Sequence, residues 1–548
     1  ISGVKSGAID VYVIDDKVRR LLRAGYDTGL FDKDTTDTKD TLNVEAHNQL
    51  ALQAARESIV LLKNYGGLLP LHREEIESIA LIGPNTYEAR VGGGGSSQVN
   101  PRYAISPYAG IQKLVGDKIS ISSTYGIAAA GDIIPLGKEF MRPLYPLHKQ
   151  PGLKAEYFAN TELKSPPALS RVDSIIDFVW GYDSPHPDLK AAGDDHNFSV
   201  RWSGKLVAAN TGIHKLNLLC HGACRLYIKE ELLIDDWQNN PDELRTAEYT
   251  FESGQEYDII IEYLFESGIA NIKFGWELPG QDLISAAVYH ARHADVAIVF
   301  AGLSNRFESE DFNRKTLDLP NQELLIKAVV EANPNTIVVM ETGSPVVMEN
   351  WIRDVPAVLQ AWYPGQEGGN AIAEVLFGDF NPTGRLPFTI AWSARDYPGL
   401  EEYQEDIYIG YRYFDKYQNK ALFSFGHGLS YSTIGIGKLL LHRSTGTYNF
   451  YATIEMKNMG NRKGTEILQL YIHDPDNKIA RPEKELKRFK RITLEPGEKM
   501  VVRIPFNRSD FAYFNEETSN WAVKSGIYEV MIGTSADNIK LRKKIEIK

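Results

Sequence analysis

Apolar runs short enough to be buried strands alternate with amphipathic runs long enough to be helices in two stretches of this chain. Such alternation implies a parallel sheet with helices on its faces. The first stretch has helical spacing over Asn48–Asn64, then the strand-like ESIALIGP, Glu77–Pro84, stopped by Gly83 and Pro84. The second begins with helical AAVYHARHA, Ala286–Ala294, and the strand DVAIVFAGL, Asp295–Leu303. It continues through amphipathic NQELLIKAVVEAN, Asn321–Asn333, to the strands TIVVMETG and AVLQAW.

The alternation lapses between Pro151 and Ile284. There Phe158, Trp180, Trp202, Tyr227, Trp237, Tyr249, Tyr257, Tyr263 and Trp276 lie in short runs bounded by Gly, Asn and Asp, the pattern of an antiparallel sandwich. It lapses again from about Lys438, where EILQLYI, MVVRIPF and IYEVMIG predict an immunoglobulin-like sandwich. A chain of 548 residues is too long for one core. The predicted fold class is therefore multidomain, α/β plus all-β. Its expected parts are an N-terminal segment at 1–34, a linker at 35–48, an α/β sandwich at 49–150 and 284–437, an all-β insertion at 151–283, and a β-sandwich at 438–548. The polar run KDTTDTKDTL, Lys33–Leu42, has the composition of an exposed connection.

A formal charge of −12 argues against a nucleic-acid partner, whose phosphates call for clustered Lys and Arg. No apolar run approaches the roughly 20 residues that span a bilayer. Cys220 and Cys224, in CHGAC, fall short of a structural zinc site even with His221. Four residues apart on a strand they could form a disulfide only across a turn or bulge, so two buried thiols are the simpler expectation. Gly92–Ser97, GGGGSS, has neither the ending of a P-loop nor the spacing of a dinucleotide fingerprint, and is read as a tight turn lining a pocket.

The chemistry concentrates just past the strand Asp295–Leu303, where Glu308, Glu310, Asp311 and Arg314 crowd one loop. Burial and like-charge neighbours both raise a carboxyl pKa, which suits a general acid. The carboxyl end of a strand is also where ligands bind in open α/β sheets.

This loop, with Gly302, Leu303, Glu308, Glu310, Arg314, Leu317, Leu319 and Pro320, resembles the acid/base loop of glycoside hydrolase family 3. It departs from the family pattern at Asp311, where glycine is usual, and Asn313, where aspartate is usual. Ala361–Pro387, Asp406–Tyr431, Ser58–Leu71 and Leu81–Pro107 resemble further family blocks, and together these motifs cover most of the chain. The resemblance implies Glu310 as proton donor, Glu308 as second choice, and Ser96 and Arg314 at the substrate. It implies no metal and no cofactor. Residues Ile1–Asp32 resemble the last helix of the family's (β/α)8 barrel, whose remainder would carry the nucleophilic aspartate. The chain alone is then expected to be inactive.

LKAEYFAN, CRLYIKEELLIDDW and IKFGWELP resemble a PA14 module, and the C-terminal block EKELKRFKRITLEPGEK resembles a fibronectin type III-like domain. His221 and Gly222 occupy the positions at which some sugar-binding PA14 relatives place calcium-binding acids, so no calcium site is expected. The function implied is a retaining exo-glycosidase acting on terminal β-glucosyl residues. A β-xylosidase or other family 3 specificity is the near alternative. A carbohydrate-binding or adhesion protein and an inactive scaffold are the distant ones. Expected partners are an oligosaccharide or β-glucoside and the barrel of the same polypeptide, with homo-oligomers left open and a secreted or periplasmic location favoured over the cytoplasm.

Overall fold

The computed structural model describes residues 2–31, 44–97, 99, 101–129, 131–144, 150–164, 166–181, 184–186, 189, 197–310, 314, 316–399, 405–445, 449–476 and 479–548. The polar run at 33–42, Asp311 and Asn313 lie outside these residues, while residues 44–48 of the linker expected at 35–48 belong to the helix Val44–Ser58. The chain divides into units 1–50 and 51–548. The first contains the helix Val11–Asp27, opened by Asp10, whose carboxylate accepts from the Tyr12 N–H at 2.9 Å. Val11, Ile14, Val18, Leu21 and Leu22 recur at helical spacing and are all exposed.

In the second unit, a six-stranded sheet has the order Val60–Asn64, Ala357–Gln360, Thr336–Glu341, Val296–Gly302, Ser78–Ile82, Ser120–Thr124. All neighbours are parallel except the first pair. The helical spacing predicted over Asn48–Asn64 holds only to Ser58, because the apolar run from Ile59 to Leu62 is buried as a strand. With both faces covered, such a strand shows no alternation, and its residues mimic the end of a helix.

The helices Pro107–Val115 and Gly368–Leu376 cover one face of this sheet, and Leu283–Arg292 and Gln322–Ala332 cover the other. The chain leaves Ser78–Ile82 toward one edge and returns on the other side of that strand as Val296–Gly302. The order of strands therefore reverses between these two, and a crevice opens at their carboxyl ends.

Between the two halves of the sheet, nine strands among the described residues from Met141 to Glu277 join in one antiparallel network. Its first strand, Met141–Pro143, pairs with Phe198–Val207, so the all-β region begins before the expected residue 151. Gly212–Ile228 pairs along one edge with Glu231–Phe251. Along its other edge it pairs first with Ala270–Glu277 and then with Glu256–Phe265. The exchange of partners falls at Gly222, φ 126°, between Cys220 and Cys224, which are free and buried. Trp202, Tyr157, Tyr263, Phe198 and Phe274 fill the core, as the aromatic content of this stretch suggests.

The C-terminal region packs a three-stranded sheet, 434–443, 450–458 and 499–506, against a four-stranded one, 485–494, 464–473, 526–533 and 539–547. Their inward residues, among them Phe450, Leu470, Val502, Phe506 and Val530, form one core. The buried Arg385, bonded to Glu466 at 2.8 Å, fastens this sandwich to the α/β region.

Candidate active site

Four neighbouring parallel strands send the loops after their carboxyl ends to one place. These are the loops following Ile82, Gly302, Glu341 and Gln360. The Val296–Gly302 strand ends where the buried Gln322 side chain takes over its backbone. Gln322 Nε2 donates to Gly302 O at 2.7 Å and Gln322 Oε1 accepts from Gly302 N at 2.9 Å. With the last backbone groups satisfied, the chain turns. Phe307 N and Glu308 N both donate to Ser304 O at 2.9 Å, a helical turn that carries Glu308 over the strand ends.

The two candidate carboxyls, two residues apart, have different surroundings. Glu308 is largely buried, its side chain 14% exposed, and both its oxygens are engaged. Its Oε1 accepts from the Ser344 hydroxyl and from Arg314 Nη1 at 3.3 Å. Its Oε2 accepts from Gly343 N at 2.7 Å and from the Tyr363 hydroxyl. Burial pushes the Glu308 carboxyl up, but the hydroxyls of Ser344 and Tyr363, the Gly343 N–H and Arg314 outweigh it and hold the group below its usual value.

Glu310 is exposed, and its Oε2 accepts from the backbone N–H of Ser96 in the glycine-rich turn. Ser96, through its hydroxyl and its N–H, likewise draws the Glu310 pKa down. The expectation that crowding raises these carboxyls is therefore corrected. Donors from neighbouring loops outnumber like charges around Glu308, and Glu310 is not desolvated.

The sequence-predicted residues are thus brought together in pairs, Glu308 with Arg314 and Glu310 with Ser96. Arg314 turns to protein acceptors. Its Nη1 also donates to the Ser344 hydroxyl at 2.5 Å and to Pro345 O at 3.2 Å, and its side chain is 8% exposed. The glycine-rich turn meets the loop closely. At Gly95, φ 60°, a Cβ would lie 2.4 Å from Glu310 Cβ and 2.8 Å from Oε2. Only glycine fits this approach and this conformation.

Sequence reasoning missed Gly343, Ser344 and Tyr363. The last two are polar side chains directly after strand ends, within TIVVMETG and AVLQAW or immediately beyond, and that position was the available signal. It also missed two buried charged groups behind the turn, Arg90 and Glu341. Arg90 is buried and lies 2.7 Å from Glu88. The buried Glu341, last residue of its strand, is pushed up to about 8 by burial, against the pull of Arg90.

A cleft of about 500 Å³ opens beside the site. Gly92, Arg90 and Asn305 line one side, and Val179, Trp180 and Ser184 of the all-β region line the other. That region also reaches the loop bearing Glu308 and Glu310 directly, where Arg306 Nη2 donates to Asn271 Oδ1 at 2.7 Å. Among the described residues no three His, Cys, Asp or Glu side chains gather as a metal site, and no helix is long and apolar enough to cross a membrane.

Residues 59–431 match the glycosyl hydrolase family 3 C-terminal domain, and residues 466–536 match the fibronectin type III-like domain. A β-glucosidase of Rhizobium radiobacter is 33% identical over 98% of this chain and 67% of its own length. The crystal structure of β-glucosidase from Kluyveromyces marxianus in complex with glucose superposes with a TM-score of 0.78 at 32% identity, covering 92% of this chain and 63% of that one. DesR, a β-glucosidase from Streptomyces venezuelae crystallised with D-glucose, gives 0.69 at 25% identity over 100% of this chain and 66% of that one. The chain spans about two thirds of the length of these relatives. With the family match over most of its length, the chain belongs to glycosyl hydrolase family 3, of which it carries the C-terminal domain followed by a fibronectin type III-like domain.

Proposed function

We propose that this chain is the C-terminal part of a retaining, exo-acting β-glucosidase in which Glu310 is the acid/base and a barrel domain of the same polypeptide supplies the nucleophilic aspartate. The observation that carries this reading is the contrast between the two carboxyls. Glu308 accepts from four donors and has no capacity left for a substrate, whereas Glu310 stands exposed at the strand ends, held by Ser96 alone among its described partners. The β-glucosidase relatives support the sugar. The exposed apolar residues of Val11–Asp27 support a missing partner, since a helix closing a barrel buries such a stripe. We read the antiparallel region as a PA14-like insertion, whose Trp180 and Ser184 narrow the approach to the sugar site.

In a retaining mechanism the acid/base lies about 5–5.5 Å from the nucleophile. That negative neighbour and the loss of water would raise Glu310 toward the value a general acid needs. Glu310 then protonates the departing oxygen, and its ionised form, the one the Ser96 N–H favours, activates water in the second step. Arg314 and Ser96 serve to place the carboxyls.

The test is Glu310→Ala in the full-length enzyme. Turnover of glucosides with poor leaving groups should fall roughly 10²–10⁴-fold, the usual contribution of general acid/base catalysis. Glycosylation by a dinitrophenyl glucoside should be much less impaired, and azide should restore turnover by attacking the glycosyl-enzyme. A loss equal across leaving groups and untouched by azide would move the proton donor elsewhere.

A further inference from the structure

We infer that Tyr363 is a positioning residue for the acid/base loop, its phenol fixing Glu308 as the anchored end from which Glu310 is held in place. The inference deepens the proposal for Glu310 and rests on it.

The argument starts from geometry. Glu308 and Glu310 belong to one loop and are two residues apart, so immobilising one carboxyl restricts the other. The donors to Glu308 come from three loops: Gly343 and Ser344 after one strand, Tyr363 after the next, and Arg314 from its own loop. Ser344 also links two of these groups, accepting from Arg314 Nη1 at 2.5 Å while donating to Glu308. Of the set, Tyr363 is delivered by the most demanding backbone. The preceding residue, Trp362, has φ 63°, a conformation that bulky side chains rarely adopt. It is held there by its indole Nε1, which donates to Ser58 O at 2.9 Å, and by an edge contact with Phe388 at 5.6 Å. This turn at the strand end swings the Tyr363 ring toward Glu308. The ring leaves no room beside it, since a Cβ on Gly343 would sit 2.9 Å from Tyr363 Cε2. Tyr363 therefore packs against the peptide whose N–H it assists.

Protonation suits the role. Burial and the neighbouring Glu308 carboxylate raise the phenol far above its ordinary value, so it remains a donor throughout the working range. Glu308 is held in its ionised, accepting form. The bond therefore persists across the pH range in which the loop must act.

Tyr363→Phe keeps the ring and removes one donor from a buried carboxylate. In the full-length enzyme, kcat/KM for aryl glucosides with poor leaving groups should fall about 10²-fold, the usual effect of misplacing a catalytic group by 1 Å. Glycosylation by dinitrophenyl glucoside, which needs no proton, should stay near the wild-type rate, and the alkaline limb of the pH profile for poor leaving groups, where the general acid loses its proton, should shift. Ser344→Ala, which removes another donor to the same carboxylate, should reproduce this pattern. A wild-type profile for Tyr363→Phe, or a loss equal for both leaving groups, would overturn the inference. If azide fails to rescue Glu310→Ala, the acid/base assignment itself fails. If azide rescues that variant while Tyr363→Phe behaves as wild type, only the positioning role is lost.

Discussion

Glu341 ends its strand beside Gly302, and burial there governs its chemistry. With its carboxyl pushed up to about 8 from an ordinary value of 4.5, the folded protein keeps a proton that the unfolded chain releases. The folded state binds more protons than the unfolded one between these two values, so this group makes stability fall as pH rises from about 4.5 to 8. Glu341→Gln removes the titration while keeping the shape. The Tm of the variant should rise relative to wild type between pH 5 and pH 8, measured by thermal unfolding at several pH values. A difference that does not change with pH would mean that the carboxylate is ionised against Arg90 in the folded state. No sequence pattern distinguishes Glu341 from Glu308. Glu341 ends an apolar strand and Glu308 lies just beyond another, and only the three-dimensional distribution of donors separates a neutral buried acid from an anchored anion.

The elements that form the site are strand ends, and they were legible to different degrees. The strand before Glu308 and the loop bearing Glu310 could be read directly, because Asp295–Leu303 is a clear apolar run ending in polar residues. The glycine-rich turn was legible as a turn, but its meeting with Glu310 was not. That meeting depends on the reversal of strand order between Ser78–Ile82 and Val296–Gly302, which are separated by more than two hundred residues of chain. The end of the Asn48–Asn64 helix was misread for a related reason, as strands buried on both faces do not alternate. Gly95 tests the turn as an element. Gly95→Ala places a methyl group 2.4 Å from Glu310 Cβ in a left-handed conformation that costs about 1–2 kcal/mol for a non-glycine residue. The full-length variant should fold, with a modestly lower Tm, and lose about 10²-fold in turnover of poor leaving groups as the carboxyl is displaced. Unchanged kinetics would show that the turn does not set the position of Glu310.

At the scale of the whole molecule, the question is how the all-β insertion is fixed to the domain it interrupts. One joint is ionic. Lys273, on the last strand of the insertion and 9% exposed, lies 3.0 Å from Asp132 of the entering segment and 3.3 Å from Asp177 of the insertion, with Glu88 also nearby. One ammonium among three carboxylates favours one partner over another. Burial draws the Asp132 carboxyl up, but Lys273 and Arg90 bring it below its ordinary value. Asp177 is pushed up to about 6, by burial first and by Glu88 and Asp132 besides. Removing one side of a buried pair leaves an uncompensated charge, at a cost of about 3–5 kcal/mol. Lys273→Met should therefore destabilise the insertion strongly at neutral pH. The deficit should shrink as the solution is acidified, because Asp132 and Asp177, without their cation, would titrate above their unfolded values. Carboxyls raised in this way lose stability as pH rises, which is the sign that matters for the test. Thermal unfolding of wild type and variant at pH 5 and pH 8 should give the larger gap at pH 8. Since the same strand holds the loop bearing Glu308 and Glu310 through Asn271 and Arg306, the loss should, on the proposed role of Glu310, be accompanied by weaker turnover of poor leaving groups at pH 8. An equal deficit at both pH values would mean that Lys273 acts through the packing of its stem, and the joint would then have to be sought in the apolar contacts around the strand.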